Sequence, residues 1–238
     1  MALVLPEVYL LDLDGGDVSL HSQLGPRSLV FMWGSWCRCR EELPRWQHFL
    51  SHEGHNLHFI SLAVDVSGPE AVRPFHEAAH ATFPTLVDTT AQVACALGVK
   101  TVPTALLVDR EGTIHWVSPG HFSVDNPEDL EVVRAWMTHG HTPLMDAPLA
   151  DPLRAELVCT RMRWARELHT RGDRAGAAEE LEHALRVDPD NLIVRSQIWL
   201  LRCPERFHPH VDTAWQEEQL ARERSQETGA GSEGCAVP

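Results

Sequence analysis

The chain has 238 residues, 43% of them hydrophobic and 23% charged, with a formal charge of −14 and six cysteines. This is the composition of a folded globular protein, long enough for one full domain and a smaller second one. Nucleic-acid phosphates and anionic membrane surfaces repel so acidic a chain, which removes both as expected partners.

The chain opens Met1-Ala2-Leu3-Val4-Leu5-Pro6, with no basic residue before the apolar run and a proline ending it. The expectation is neither a secretory signal nor a membrane anchor, and therefore a cytoplasmic protein. Thiols are kept reduced there, so a close cysteine pair is more often catalytic, redox-sensing or metal-binding than structural.

Residues 8–13 and 18–20, on either side of Asp14-Gly15-Gly16-Asp17, predict two short strands joined by a glycine turn. Ser28 to Met32 is an apolar run of strand length that stops at Gly34-Ser35. Cys37 and Cys39 follow, just before Glu41, Glu42 and the helically spaced Leu43, Trp46, Phe49 and Leu50. That spacing predicts two thiols on the first turn of a helix, where the helix dipole and unpaired N–H groups favour a thiolate and Arg38 and Arg40 add positive charge. Leu57 to Val64 reads as a strand buried on both faces and closed by Asp65, at the end where α/β sheets place their chemistry. A helix is predicted over 69–80, an extended link over 82–88, and a short helix over 91–97 ended by Gly98. A strand around 102–109 turns at Asp109-Arg110-Glu111-Gly112 into 113–117, and Asn126-Pro127 starts a last helix through Met137. Strands alternating with helices and closed by a hairpin predict an α/β sandwich over 1–139.

Residues 140–152 are rich in glycine and proline and read as a linker. From 153 to 227 the periodicity is purely helical, with a capping helix over 192–201 and a polar helix within 211–227 whose large apolar residues are Trp215 and Leu220. Residues 228–238, with Gly-Ala-Gly-Ser-Glu-Gly, read as a disordered tail. Cys95, Cys159, Cys203 and Cys235 lie far apart and suggest no disulfide framework.

The stretch Trp33-Gly34-Ser35-Trp36-Cys37-Arg38-Cys39-Arg40-Glu41-Glu42-Leu43-Pro44 resembles the active site of thioredoxin-like disulfide oxidoreductases of the TlpA and redoxin type, which read Trp-x-x-Trp-Cys-x-x-Cys-Arg-x-Glu-x-Pro. The resemblance covers roughly residues 7–139, and the chain departs from it by one deletion that leaves Cys-x-Cys. It implies a three-layer α/β/α sandwich, here with a small all-α appendage at the C-terminus. It also implies exchange with protein thiols and disulfides without a cofactor or metal, Cys37 as nucleophile and Cys39 as the resolving thiol. Val102-Pro103-Thr104 matches the family's cis-proline, and Trp36, Leu97 and the Val102-Pro103 turn would form the docking surface. Asp65 would be a buried proton acceptor or a helix cap. The segment from Trp164 to Asn191, with Ala165, Gly172, Ala177, Leu181 and Ala184, resembles a tetratricopeptide helix pair, which would pack on the first domain or recruit a protein partner.

Positions i and i+2 of a regular helix are roughly 200° apart, so a Cys37–Cys39 disulfide closes only if Cys37 lies outside the helix. Two other outcomes stay open. The fold and helices could serve as a redox-silent binding adaptor, or Cys37 and Cys39 with His48 or His121 could hold Cu(I) or Zn²⁺, although the second half of a zinc signature is missing. Peroxiredoxin chemistry lacks its Thr-x-x-Cys, because Gly34 and Trp36 stand at that spacing. Arg40 and Glu42 are expected as a surface ion pair, and the histidines, including His76 and His80, as solvated.

Overall fold

A computed structural model describes residues 3–140, 142 and 151–230, with the side chains of 228–230 left aside. Seven strands form one sheet: β1 (Tyr9–Leu11), β2 (Asp17–Ser19), β3 (Ser28–Trp33), β4 (His58–Val64), β5 (Thr85–Asp88), β6 (Thr104–Val108) and β7 (Ile114–Pro119), in the order β2-β1-β5-β4-β3-β6-β7. β3, β4 and β5 run parallel, while β6, β7 and the β1–β2 hairpin are antiparallel to their neighbours.

Every residue of β3, β5 and β6, and all of β4 beyond His58, is buried. A strand buried on successive residues has both faces covered, since alternate side chains point to opposite sides. One cover is α1 (Leu43–His52), whose Trp46 meets Phe31 and Phe59 at ring-centroid distances of 6.2 and 5.3 Å. Trp33, two residues beyond Phe31 and so on the same face, meets Phe75 of α2 (Pro69–Ala78) edge-on. Arg134 of α4 (Pro127–His139) pairs with Glu53 at the end of α1. α3 (Gln92–Leu97) carries the chain from β5 to β6 and packs against the helical region. The chain forms the expected three-layer α/β/α sandwich.

The extended link expected over 82–88 contains a strand: residues 85–88 pair with β4 and β1. The four residues are too short and too mixed to announce a strand alone, and the pairing supplies what the pattern lacks.

Four helices follow: α5 (Pro152–Thr170), α6 (Arg174–Val187), α7 (Leu192–Arg202) and α8 (Thr213–Ala230). Asp151, Asp173 and Asn191 cap the first three through their side chains. The expected linker gives up Pro152, which begins α5, since proline suits a first helical turn. Most of the rest of it, 141 and 143–150, lies outside the described residues. α8 runs to Ala230, into the tail expected from 228; residues 231–238 lie outside the described residues. Ala165, Ala177, Leu181 and Ala184 are buried between α5 and α6, and Gly172 makes the turn at φ 85°. Trp164 of the same segment is 56% exposed.

The helices pack onto the sandwich. Lys100 Nζ pairs with Asp188 at 2.6 Å and the Ile193 N–H donates to the Lys100 carbonyl at 3.1 Å. Beside the end of β4, the Val66 N–H donates to Gln197 Oε1 at 2.6 Å, and Arg166 Nη1 donates to the Val66 carbonyl at 2.8 Å. Cys159 of α5 lies against Cys95 of α3, and the hydrogen bond with Cys159, followed by burial, pushes the Cys95 thiol far above its usual pKa. Both behave as small core residues.

Candidate active site around Cys37 and Cys39

β3 ends at Trp33, and the chain turns through Gly34 and Ser35 before the first cysteine. A Cβ on Gly34 would lie 2.4 Å from the Trp36 indole, so glycine leaves room for that ring. The buried indole donates through Nε1 to the Val64 carbonyl at 3.2 Å, and Trp33 Nε1 donates to Ser61 Oγ at 2.8 Å. Both tryptophans thus fix the turn to the neighbouring β4.

Cys37 is extended, at φ −105° and ψ 139°, and caps a 3₁₀ turn over Arg38–Glu42 that leads into α1. The expected α-helical first turn is therefore replaced by a tighter one: Cys37 Sγ accepts the Cys39 N–H at 3.1 Å, and Pro44, with no N–H to donate, sits at the start of α1. Cys37 lies outside the regular helix, which meets the condition for bridging two cysteines separated by one residue. Their sulfurs are bonded, with Cα atoms 5.1 Å apart. Cys37 is half-buried and Cys39 only 7% exposed, so Cys37 is the sulfur that another molecule reaches.

The two arginines do not both serve the thiols. Arg38 is 70% exposed and pairs with Glu41 at 3.2 Å. Arg40 is buried and turns away, donating to the carbonyls of Ser35 at 2.7 Å, Phe207 at 3.1 Å and Pro209 at 2.7 Å, with its guanidinium over the Phe75 ring. Burial pulls its pKa down, with Glu41 opposing. The expected Arg40–Glu42 surface pair does not form: Glu42 is buried, pairs with Arg45 at 2.7 Å and accepts from Ser123 Oγ at 2.8 Å. His76 is likewise half-buried, bonded to Thr85 Oγ1 at 2.9 Å, and burial lowers its pKa.

Asp65 is fully buried at the end of β4. It accepts from the Ser35 hydroxyl at 2.5 Å, the Ser35 N–H at 3.2 Å and the Ser67 N–H at 3.0 Å. Burial raises its pKa, with the bonds from Ser35 and Ser67 opposing. It closes the turn that precedes α2, whose N-cap is Gly68, and it reaches the cysteine turn through Ser35.

The Val102-Pro103 peptide is cis, as the resemblance implies, and the Val102 carbonyl lies 3.9 Å from Cys37 Sγ. Leu97 does not belong to this surface. It is 3% exposed on α3 and sits in the core, because the apolar side of that short helix faces inward.

Two clefts flank the sulfurs and share Cys37, Arg38 and His121. One, of about 320 Å³, passes Cys39, Pro103 and Phe122. The other, of about 500 Å³, lies between Trp36 and Val102 on one side and Leu192, Trp199, Gln216 and Leu220 on the other. The helical residues in it carry no cysteine-like signature; the one sequence signal was the isolated Trp215 and Leu220 of α8. Among the described residues no group of three or more His, Cys, Asp or Glu is arranged to hold a metal ion. His48 lies against His52 along α1, with ring centroids 4.3 Å apart and the rings tilted by 38°.

Residues 3–117 match the AhpC/TSA family. The thiol-disulfide oxidoreductase ResA of Geobacillus thermodenitrificans is 31% identical over 135 residues, which span 54% of this chain and 75% of that protein. The sporulation thiol-disulfide oxidoreductase A of Bacillus subtilis is 26% identical over 137 residues, spanning 56% and 79% respectively. Among solved structures, the thioredoxin domain of a thiol-disulfide oxidoreductase from Bacteroides vulgatus aligns with 58% of this chain and 97% of that domain, at 21% identity and a TM-score of 0.49.

Proposed function

The chain belongs to the thioredoxin-like redoxins, a family of thiol-disulfide oxidoreductases, and on that premise we propose that it exchanges disulfides with protein thiols through Cys37 and Cys39. One observation carries this: the two sulfurs are bonded, with Cys37 open to two clefts and Cys39 buried behind it.

A substrate thiolate attacks Cys37 Sγ, the Cys37–Cys39 bond breaks, and Cys39 leaves as a thiolate. A second substrate thiolate then attacks the substrate sulfur of the mixed disulfide. The substrate leaves as a disulfide, and two electrons remain on the reduced Cys37–Cys39 pair. The reverse sequence reduces a substrate disulfide. Cys37 caps the Arg38–Glu42 turn, so the N–H of Cys39 supports its thiolate. Arg38 adds exposed positive charge, whereas Arg40 holds the turn in place. Asp65, kept protonated to higher pH by burial, is the proposed proton acceptor and donor for the pair, held beside the cysteine turn by its bond from the Ser35 hydroxyl. Trp36 and the Val102-Pro103 turn line the substrate's path.

The cytoplasm, where thiols are kept reduced and a close cysteine pair is more often catalytic than structural, is the proposed compartment, and the proposed reaction needs no membrane. No helix among the described residues is long and apolar enough to cross one. The α5–α6 pair is read as tetratricopeptide-like, supported by the small residues at its crossing. Leu153, Leu157 and Trp164 are exposed and follow one stripe of α5, which suits a protein partner.

The test is a titration of the purified full chain in glutathione or dithiothreitol redox buffers, with thiol trapping and mass spectrometry. A reversible Cys37–Cys39 dithiol–disulfide midpoint, lost in Cys37→Ser, is expected. Thiols that remain free across the series would leave a binding adaptor instead.

A further inference from the structure

The helical region is anchored to the cysteine turn itself. Gln216 Nε2 of α8 donates to the Trp36 carbonyl at 3.2 Å, and Arg40 reaches the segment between α7 and α8. The cleft of about 500 Å³ that opens onto Cys37 is therefore walled by two parts of the chain far apart in sequence.

The residues of the helical wall are divided between structure and exposure. Trp199 is buried at the base, where it donates to Glu223 Oε1 at 2.8 Å and meets Trp215 edge-on at 5.8 Å. Trp215 is committed to that packing and to Phe207. Leu192 and Leu220 are half-buried and line the cleft. In so polar a helix as α8, Leu220 is the large apolar residue left over, and it stands in the cavity that contains the reacting sulfur.

We propose that α7 and α8 are the second wall of the substrate site, and that Leu192 and Leu220, over Trp199, receive an apolar side chain flanking the substrate's exchanging cysteine. The occupant is an extended segment of a protein. The two clefts share Cys37, Arg38 and His121, so a strand-like segment laid across the sulfurs reaches from the helical wall to Pro103. This rests on the dithiol exchange proposed above, and it assigns substrate choice to the appendage rather than to the sandwich alone.

The oxidised full chain is reacted with cysteine peptides carrying leucine or serine immediately beside the cysteine, and separately with dithiothreitol. The leucine peptides should react about tenfold faster, since part of a leucine side chain leaves water. Leu220→Ser should erase that preference and Leu192→Asn should reduce it, each peptide rate being divided by the same variant's rate with dithiothreitol and circular dichroism confirming the fold. No preference in the wild type, or a preference that survives both changes, overturns the proposal. A wild type whose Cys37–Cys39 bond is inert to dithiothreitol as well overturns the exchange reaction beneath it, a different and recognisable result.

Discussion

Arg40 Nη2 donates to the Pro209 carbonyl at 2.7 Å, across 169 residues of sequence. A residue that neighbours the second cysteine thus binds the C-terminal helices to the active-site turn, with Ser35 and Phe207 as its other carbonyl partners. A charged donor spread over three carbonyls is worth more than a surface ion pair here, because its removal strands the buried Ser35 and Phe207 carbonyls away from water.

Arg40→Met is therefore expected to cost about 2–4 kcal/mol. Urea denaturation should show this, with earlier loss of the α7–α8 contacts followed by Trp199 and Trp215 fluorescence. A change below about 0.5 kcal/mol, the range of ordinary surface substitutions, would contradict the clasp.

The unequal exposure of the two sulfurs predicts unequal variants. With Cys39→Ser the mixed disulfide formed at Cys37 has no internal thiol to resolve it, so adducts with glutathione or substrate should accumulate and be visible by mass spectrometry. With Cys37→Ser no such adduct should form, since Cys39 is buried beneath the turn. Adducts on Cys39 in the second variant would reverse the assignment.

The buried carboxyl of Asp65 makes a prediction about pH whose sign is fixed. Its pKa in the folded protein is raised, so between the unfolded value of about 3.9 and the folded one the native state holds more protons. Its contribution to stability is complete below the unfolded value and is lost as pH rises through the folded value. Asp65→Asn removes this loss, so the stability of the variant relative to wild type should rise from about pH 3.5 toward neutrality. Asp88 is also buried with a raised pKa, but it is common to both proteins and cancels in the difference. Urea titrations of both proteins across that range measure the trend; a difference independent of pH would mean that Asp65 is not neutralised by burial.

The sandwich was legible because its signals are local: apolar runs for β3 and β4, the helical spacing after Cys39, the glycine after α3, and a proline where the fold turns toward the cysteines. The condition on the disulfide, Cys37 outside the helix, was also readable from spacing alone. What the sequence hid was long-range. Leu97 looked like a surface residue because nothing local says which side of a six-residue helix faces the core. β5 needed its partners to become a strand. Arg40 appeared beside the thiols in sequence, yet its carbonyl partners lie in a segment whose position depends on how the helices fold back. The cleft wall of α7 and α8 was invisible for the same reason.

Gly34 shows how a residue can be seen and still be misjudged. In the sequence it marks the end of β3, as glycine does in turns, yet it is not among the residues with positive φ, so backbone freedom is not what requires it here. The Trp36 indole requires it: a Cβ would meet three ring atoms at 2.4–2.8 Å, and the ring is rigid and held by Val64. Gly34→Ala must therefore displace Trp36, break the Nε1 bond to the Val64 carbonyl and shift the Trp36 carbonyl that Gln216 binds. Overpacking of this kind costs about 1–3 kcal/mol, and the damage should extend beyond stability to the cleft. The expected result is a lower melting temperature together with weaker discrimination between leucine- and serine-flanked cysteine peptides. A variant that melts earlier but discriminates as the wild type does would show that the tryptophan stabilises the turn without shaping the substrate's path.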